Sequence, residues 1–332
     1  MDKPWSNYCT MSIANFQAFP DTAGGQGPIL ESVRKIAEDD FFDGVEIAWV
    51  RDPAVRAEVR QVAEIAQLQV GFGAHPAILS QKLNLNSLVE AERMAALQQM
   101  RELMDQAAEL GARRFVFLSG KDPGDAQRED AFQALLASIR QMGAWGKERG
   151  LSLVLETFDR SVDKRALIGP SEYAARLAVA VKADYPDFGL LYDSSHMPIL
   201  DETPQDMAAI AEHLVHVHVG NCVKVEGRPL YGDLHPYIGF PGGVNGVEEL
   251  AEFIRGLFAV GYLAEGKHPP VCPVCGVFDP RSGANGGVFA SRSGANGKPW
   301  VGFEVKPQGP GQTPELIIAN AKRTWRQAWA MA

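Results

Sequence analysis

Apolar runs of strand length alternate with amphipathic segments of helix length eight times along this chain of 332 residues, and that rhythm constrains the fold most. The strand-like runs fall at 8–16, 44–50, 70–76, 114–120, 151–157, 188–193, 214–220 and 300–306. Helical segments follow each of them, near 28–36, 53–67, 86–110, 125–149, from 171, 203–213, 246–261 and 313–330. Gly150 is a helix stop, and Thr203 is the N-cap of a helix with Pro204 at its first position. Unbroken alternation of this kind argues for a single parallel (β/α)8 TIM barrel spanning 1–332. A doubly wound open sheet is the competing fold. It would favour a Gly-rich phosphate fingerprint after an early strand; none is present, and no nucleotide cofactor is expected.

Two segments interrupt the rhythm. Residues 222–244 are long and polar, which in a barrel marks an active-site loop. Residues 265–298 hold Cys272-Pro-Val-Cys275 and a duplicated Arg-Ser-Gly-Ala-Asn-Gly, a Gly-rich excursion ahead of strand eight. The Cys pair reads as reduced thiols, as a redox pair, or as half a zinc site with His268 as third ligand and a fourth from another subunit. Four cysteines in so long a chain do not make a disulfide framework, and no signal peptide or membrane-length apolar run is present, so the cytoplasm is expected. A formal net charge of −9 disfavours nucleic acid as a partner.

Barrel active sites gather where the strands end. The polar residues there are His75 (strand three), Glu156 (five), Asp193 and His196 (six), His218 (seven) and Glu304 (eight). Glu156 and Glu304 lie inside apolar runs, where an unpaired charge is costly, so each demands a partner: a metal, or an ion pair with Lys306 or an Arg. Asp193 reads as a ligand or as a helix cap, and His218 as a ligand or a satisfied core histidine; His216 sits deeper and reads as core. Three carboxylates and one imidazole from four consecutive strands could converge on one divalent cation. Hard oxygen ligands with a single His suit Mn²⁺ first, with Mg²⁺, Co²⁺, Fe²⁺ or Zn²⁺ as alternatives.

Leu-Glu-Thr at Glu156, Asp-Ser-Ser-His at Asp193 to His196, His-Val-His-Val at His216 to Val219 and Gly-Phe-Glu-Val at Glu304 resemble the xylose-isomerase-like TIM-barrel superfamily over nearly the whole chain. That group includes sugar isomerases and epimerases of the tagatose 3-epimerase type and AP endonuclease of the endonuclease IV type. The resemblance implies that Glu156, Asp193, His218 and Glu304 bind the metal. It also makes Glu156 and Glu304 the acid/base pair and gives His196 a contact to a substrate oxygen. Substrate contacts are further expected from His75, Asp233, His235 and Lys306, with Asp233 and His235 open to a surface-loop reading as well. The expected reaction removes a proton beside a carbonyl of a sugar or keto-sugar, with the cation stabilising the enediolate.

The endonuclease branch is disfavoured. His75, His218, Asp233 and His235 match parts of its three-metal ligand set, but strand four ends Phe117-Leu-Ser-Gly120, without the expected His. Gly220-Asn-Cys-Val, Asp233-Leu-His-Pro, Gly242-Gly-Val-Asn and Phe303-Glu-Val-Lys-Pro307 resemble the catalytic subunits of bacterial C-glycoside deglycosidases. Those lyases cleave 3-oxo-glucosides by β-elimination and work with a small second subunit, so the expected assembly is a homo-oligomer or such a hetero-oligomer. A barrel kept as a scaffold is the non-enzyme alternative; the full set of costly buried charges argues against it.

Overall fold

The computed structural model describes residues 3–264 and 298–332; the Cys272–Cys275 pair and His268 lie outside them. Eight strands form one parallel sheet: β1 (Thr10–Ile13), β2 (Gly44–Ile47), β3 (Gln69–Gly73), β4 (Arg114–Phe117), β5 (Ser152–Glu156), β6 (Gly189–Asp193), β7 (Leu214–Val219) and β8 (Trp300–Phe303). Neighbours in sequence are neighbours in space, β8 pairs with β1, and a bridge between Ala14 and Glu46 joins β1 to β2, giving the expected (β/α)8 barrel.

Long helices follow seven strands: Ile29–Ala37, Pro53–Ala66, Glu90–Glu109, Arg128–Arg149, Ser171–Lys182, Val247–Ala259 and Pro314–Met331. Their ends obey local chemistry. Asp52 accepts from the Ala54 N–H ahead of Pro53, Thr313 accepts from Leu316 ahead of Pro314, and Gly150 closes the helix after β4 with φ +66°. No described helix is long and apolar enough to cross a membrane.

Several expected boundaries shift. The helix expected from 86 starts at Glu90, because the side chains of Asn84 and Ser87 accept from the N–H groups of Asn86 and Val89 and hold a turn instead. The segment after β6 is a 3-10 helix, Pro204–Ile210, with N–H to i−3 carbonyl bonds at Asp206 and His213; Thr203 does cap it, sharing a capping box with Asp206. β1, β2, β3, β4 and β8 stop earlier than expected, and short helices Asn15–Ala18 and His75–Gln81 follow β1 and β3 at their C-terminal ends.

Alternation along the strands separates two environments. Phe115, Phe117, Leu153, Leu155, Leu190 and Tyr192 point outward into the main apolar core shared with the helices. Val116, Val154, Leu191 and Val215, from four consecutive strands, form a small apolar cluster of their own inside the barrel. The other half of the interior is polar: Ser12, Glu46, His216 and His218 are all buried. The glycines of β3 and β8 give that half its room: a Cβ on Gly71 would meet the Glu46 Cγ at 3.3 Å, and one on Gly302 would collide with the Glu46 carboxylate.

Candidate metal centre

Glu156 and Asp193 are the last residues of β5 and β6, Glu304 follows β8 directly, and His218 is the penultimate residue of β7. Each continues an inward-facing row, so strand geometry alone turns the four toward the barrel axis. Their ligand atoms all lie within 4.8 Å of one another, and all four residues are buried. His218 Nδ1 is 2.6 Å from Glu304 Oε2, 3.6 Å from Glu156 Oε1 and 3.9 Å from Asp193 Oδ2. Among the described residues, these same four atoms have no hydrogen-bond partner; the 2.6 Å approach lacks hydrogen-bond geometry.

The outer atoms of Glu304, Asp193 and His218 are hydrogen-bonded to the protein, and that of Glu156 lies against His75. Gln17 Nε2 donates to Glu304 Oε1 at 2.8 Å, and the Ser195 N–H donates to Asp193 Oδ1 at 2.6 Å. His75 Nε2 lies 2.9 Å from Glu156 Oε2, and His218 Nε2 donates to Glu46 Oε2 at 2.9 Å. One Asp193 oxygen thus caps the turn after β6, and the other faces the cluster. Leaving four buried polar atoms unpaired is costly. Ligands of one ion bound at about 2.1 Å are spaced in this way, so the donor set fits a divalent cation with a preference for oxygen. Burial pushes the Asp193 carboxyl up to about 6; the His196 and His235 imidazoles oppose that rise and Glu304 adds to it.

A second cluster sits beside the first. Asp233 Oδ2 is 3.1 Å from His196 Nε2 and 3.3 Å from Lys164 Nζ, and Asp233 Oδ1 is 3.1 Å from His235 Nε2. His196 Nδ1 donates to the Thr157 carbonyl at 2.7 Å, so both its nitrogens face acceptors, an arrangement that favours the imidazolium. Burial opposes that charge, but Asp233 and Asp193 raise its pKa well above the ordinary value. His235, at a left-handed φ of +50°, brings the 222–244 loop over the site, with Nε2 3.7 Å from Glu304 Oε1. Gly220 leaves the space: a Cβ there would stand 2.9 Å from His235 Nδ1 and 3.3 Å from Asp193 Oδ1. Lys306 joins through its backbone, donating to the His235 carbonyl at 2.8 Å. Phe16 and Phe158 wall the centre; Phe158 lies 4.3 Å from the His196 ring and 5.8 Å from His75.

The structure therefore brings together Glu156, Asp193, His218 and Glu304, with His75, His196, Asp233 and His235 around them. Sequence reasoning misses Glu46, Gln17 and Lys164. Glu46 carries the signal that marks Glu156, an acid inside an apolar strand. Lys164 is placed by its loop, where the Asp159 carboxylate accepts from the N–H groups of Val162, Asp163 and Lys164 at 2.6, 2.8 and 2.7 Å. Asn221 and Asn245, which the deglycosidase resemblance draws on, here close the loop: Asn221 Oδ1 accepts from the Asn245 N–H, and Asn245 Nδ2 donates to the Ser194 and Gly220 carbonyls.

Comparison with solved structures returns barrels of the same architecture. L-ribulose 3-epimerase is 14% identical with a TM-score of 0.66, covering 97% of this chain and 96% of its own. The IolI protein with a bound zinc atom is 14% identical with a TM-score of 0.65, covering 96% and 97%. 3-Keto-D-glucoside 4-epimerase from E. coli is 18% identical with a TM-score of 0.57, covering 97% and 98%. Comparison with curated proteins found no match. The family model of the xylose isomerase-like TIM barrel matches residues 33–264, more than half of the sequence, and the chain belongs to that family.

Proposed function

We propose that this protein is a metal-dependent enzyme that removes a proton from the carbon beside a carbonyl of a small sugar or keto-sugar, in an isomerase or epimerase reaction. The observation that carries this reading is the set of four unpartnered, inward-facing atoms on Glu156, Asp193, His218 and Glu304. These four would hold one divalent cation; the donor set favours Mn²⁺, and the zinc in one structural relative keeps Zn²⁺ in view. When bound, the cation acts as a Lewis acid toward the substrate oxygen that gains charge as the proton leaves.

The remaining work falls to the chain. Glu156 and Glu304 come from the two ends of the four-strand arc β5–β8, and so flank a substrate seated at the strand ends. One carboxylate takes the proton from one face; the other returns a proton to the opposite face or to the neighbouring carbon. The His196 imidazolium, fixed by Thr157 and Asp233, and Lys164 place positive charge beside the developing oxyanion. Phe16 and Phe158 exclude water, which strengthens these interactions.

A second reading, β-elimination from a 3-oxo-glucoside, uses the same first step, and the name of one structural relative, 3-keto-D-glucoside 4-epimerase, favours that substrate class. Solvent deuterium exchange into ketohexoses and 3-keto-glucosides in D2O with Mn²⁺ tests both readings. The isomerase reading expects label beside the carbonyl of an intact sugar, whereas the lyase reading expects release of the group attached to the sugar. Exchange that persists at the parent rate in Glu156→Gln, or no exchange with any member of the panel by a metal-loaded enzyme, would contradict the proposal.

A further inference from the structure

We infer that Glu46, in the middle of β2, is the positioning residue of the metal centre: it fixes the tautomer and tilt of His218 so that Nδ1 offers its lone pair to the cation. This rests on the metal reading above and goes beyond it, because Glu46 lies below the ligand layer and has no place among the four.

Glu46 is 1% exposed, and its two oxygens are divided between neighbours. Oε2 accepts from His218 Nε2 at 2.9 Å; Oε1 accepts from Ser12 Oγ at 3.0 Å and lies 3.2 Å from His216 Nε2. With Nε2–H committed to a carboxylate, a neutral His218 carries its lone pair on Nδ1, the atom that faces Glu156, Asp193 and Glu304. The reverse tautomer would put two lone pairs against each other on the Glu46 side and a proton where the cation belongs. A carboxylate behind a ligating imidazole also raises its basicity and stops it from rotating.

The barrel is built around this carboxylate. Gly71, paired with it on the adjacent β3, and Gly302 on β8 leave the volume it fills. Below it, the indole of Trp300 stacks edge-on to His216 with ring centres 5.5 Å apart, and Arg114 lies over that indole at 4.6 Å. A buried acid with three polar neighbours and two glycines cleared for it is an expensive arrangement for a barrel floor that aliphatic residues could fill, as Val116, Val154, Leu191 and Val215 do on the other side. Among the described residues, its one link to the reacting layer is His218.

The test begins with the unaltered protein, loaded with Zn²⁺ and labelled with ¹⁵N in histidine. Long-range proton–nitrogen correlation should find His218 protonated at Nε2 and metal-bound at Nδ1; the opposite assignment overturns the inference without any substitution. Glu46→Gln keeps shape but removes the charge and is the discriminating variant; Gly302→Ala keeps Glu46 but collides with its carboxylate, and also presses on His218 Cδ2 at 3.0 Å. Both should lower divalent-metal affinity about 10–100-fold in chelator competition while retaining the parent's circular dichroism. A folded variant that binds within twofold of the parent overturns the inference. A parent that binds no divalent cation refutes the metal reading itself, a result distinct from unchanged affinity in the variants.

Discussion

Asp233→Asn should destabilise the metal-free protein by an amount that shrinks as pH rises. Asp233 is buried against His196, His235 and Lys164, at 3.1, 3.1 and 3.3 Å. Burial works against a charge on His235, but Asp233, and after it Glu304, raise its pKa to about 9 from an ordinary 6.5. A base whose folded pKa is raised contributes stability that is fully present below its unfolded value and is lost as pH climbs through the folded one. At roughly 1.4 kcal/mol per unit, His235 contributes about 2.5 kcal/mol at pH 7 and almost nothing by pH 10. Glu304 keeps part of that in the variant, and His196 adds a loss of the same sign. Asparagine at 233 should therefore cost about 2–3 kcal/mol at pH 7. Urea unfolding of chelator-treated parent and variant at pH 7 and 9.5 measures it. A difference below about 0.5 kcal/mol at pH 7, or one of equal size at both pH values, would refute the reasoning.

Other consequences are as concrete. Burial raises the Asp122 carboxyl, but the Arg128 guanidinium, bonded to both its oxygens, brings it below its ordinary value, so the pair's contribution is present above pH 4 and lost in acid. Because Arg128 is partly exposed, Asp122→Asn should cost only about 1 kcal/mol at pH 7 and less near pH 3, read by denaturant midpoints. Gly220→Ala should cost about 1–3 kcal/mol through overpacking and also weaken metal binding, since the new methyl presses on Asp193. Asp159→Ala removes the acceptor of four loop amides, so hydrogen exchange at Val162, Asp163, Lys164 and Arg165 should rise at least tenfold while β5 stays protected.

Much of this arrangement is legible in the sequence because burying charge is costly. Glu156, Asp193, His218 and Glu304 stand out as polar residues at the ends of apolar runs, and parallel strands bring such ends to one rim. Glu46 carries the same signal one layer deeper, where strand ends give no cue. Gln17 and Lys164 are hidden for other reasons: one is neutral, and the other depends on a turn nucleated by Asp159 that no periodicity reveals. The histidines show the limit of counting ligand types. His196 is expected to touch substrate, yet both its nitrogens have protein partners; a substrate oxygen would have to displace one or lie against the ring.

The central claim is the proposal that four buried atoms hold a cation, and a direct titration addresses it. Protein stripped with chelator and titrated with Mn²⁺ or Zn²⁺ should bind one ion per chain at the four-residue centre and gain about 2.7 kcal/mol of stability at a hundredfold excess over the dissociation constant. The same titration of Asp193→Asn and Glu156→Gln should lose that binding. A parent that takes up no divalent cation, or variants that bind as tightly as the parent, would contradict the account.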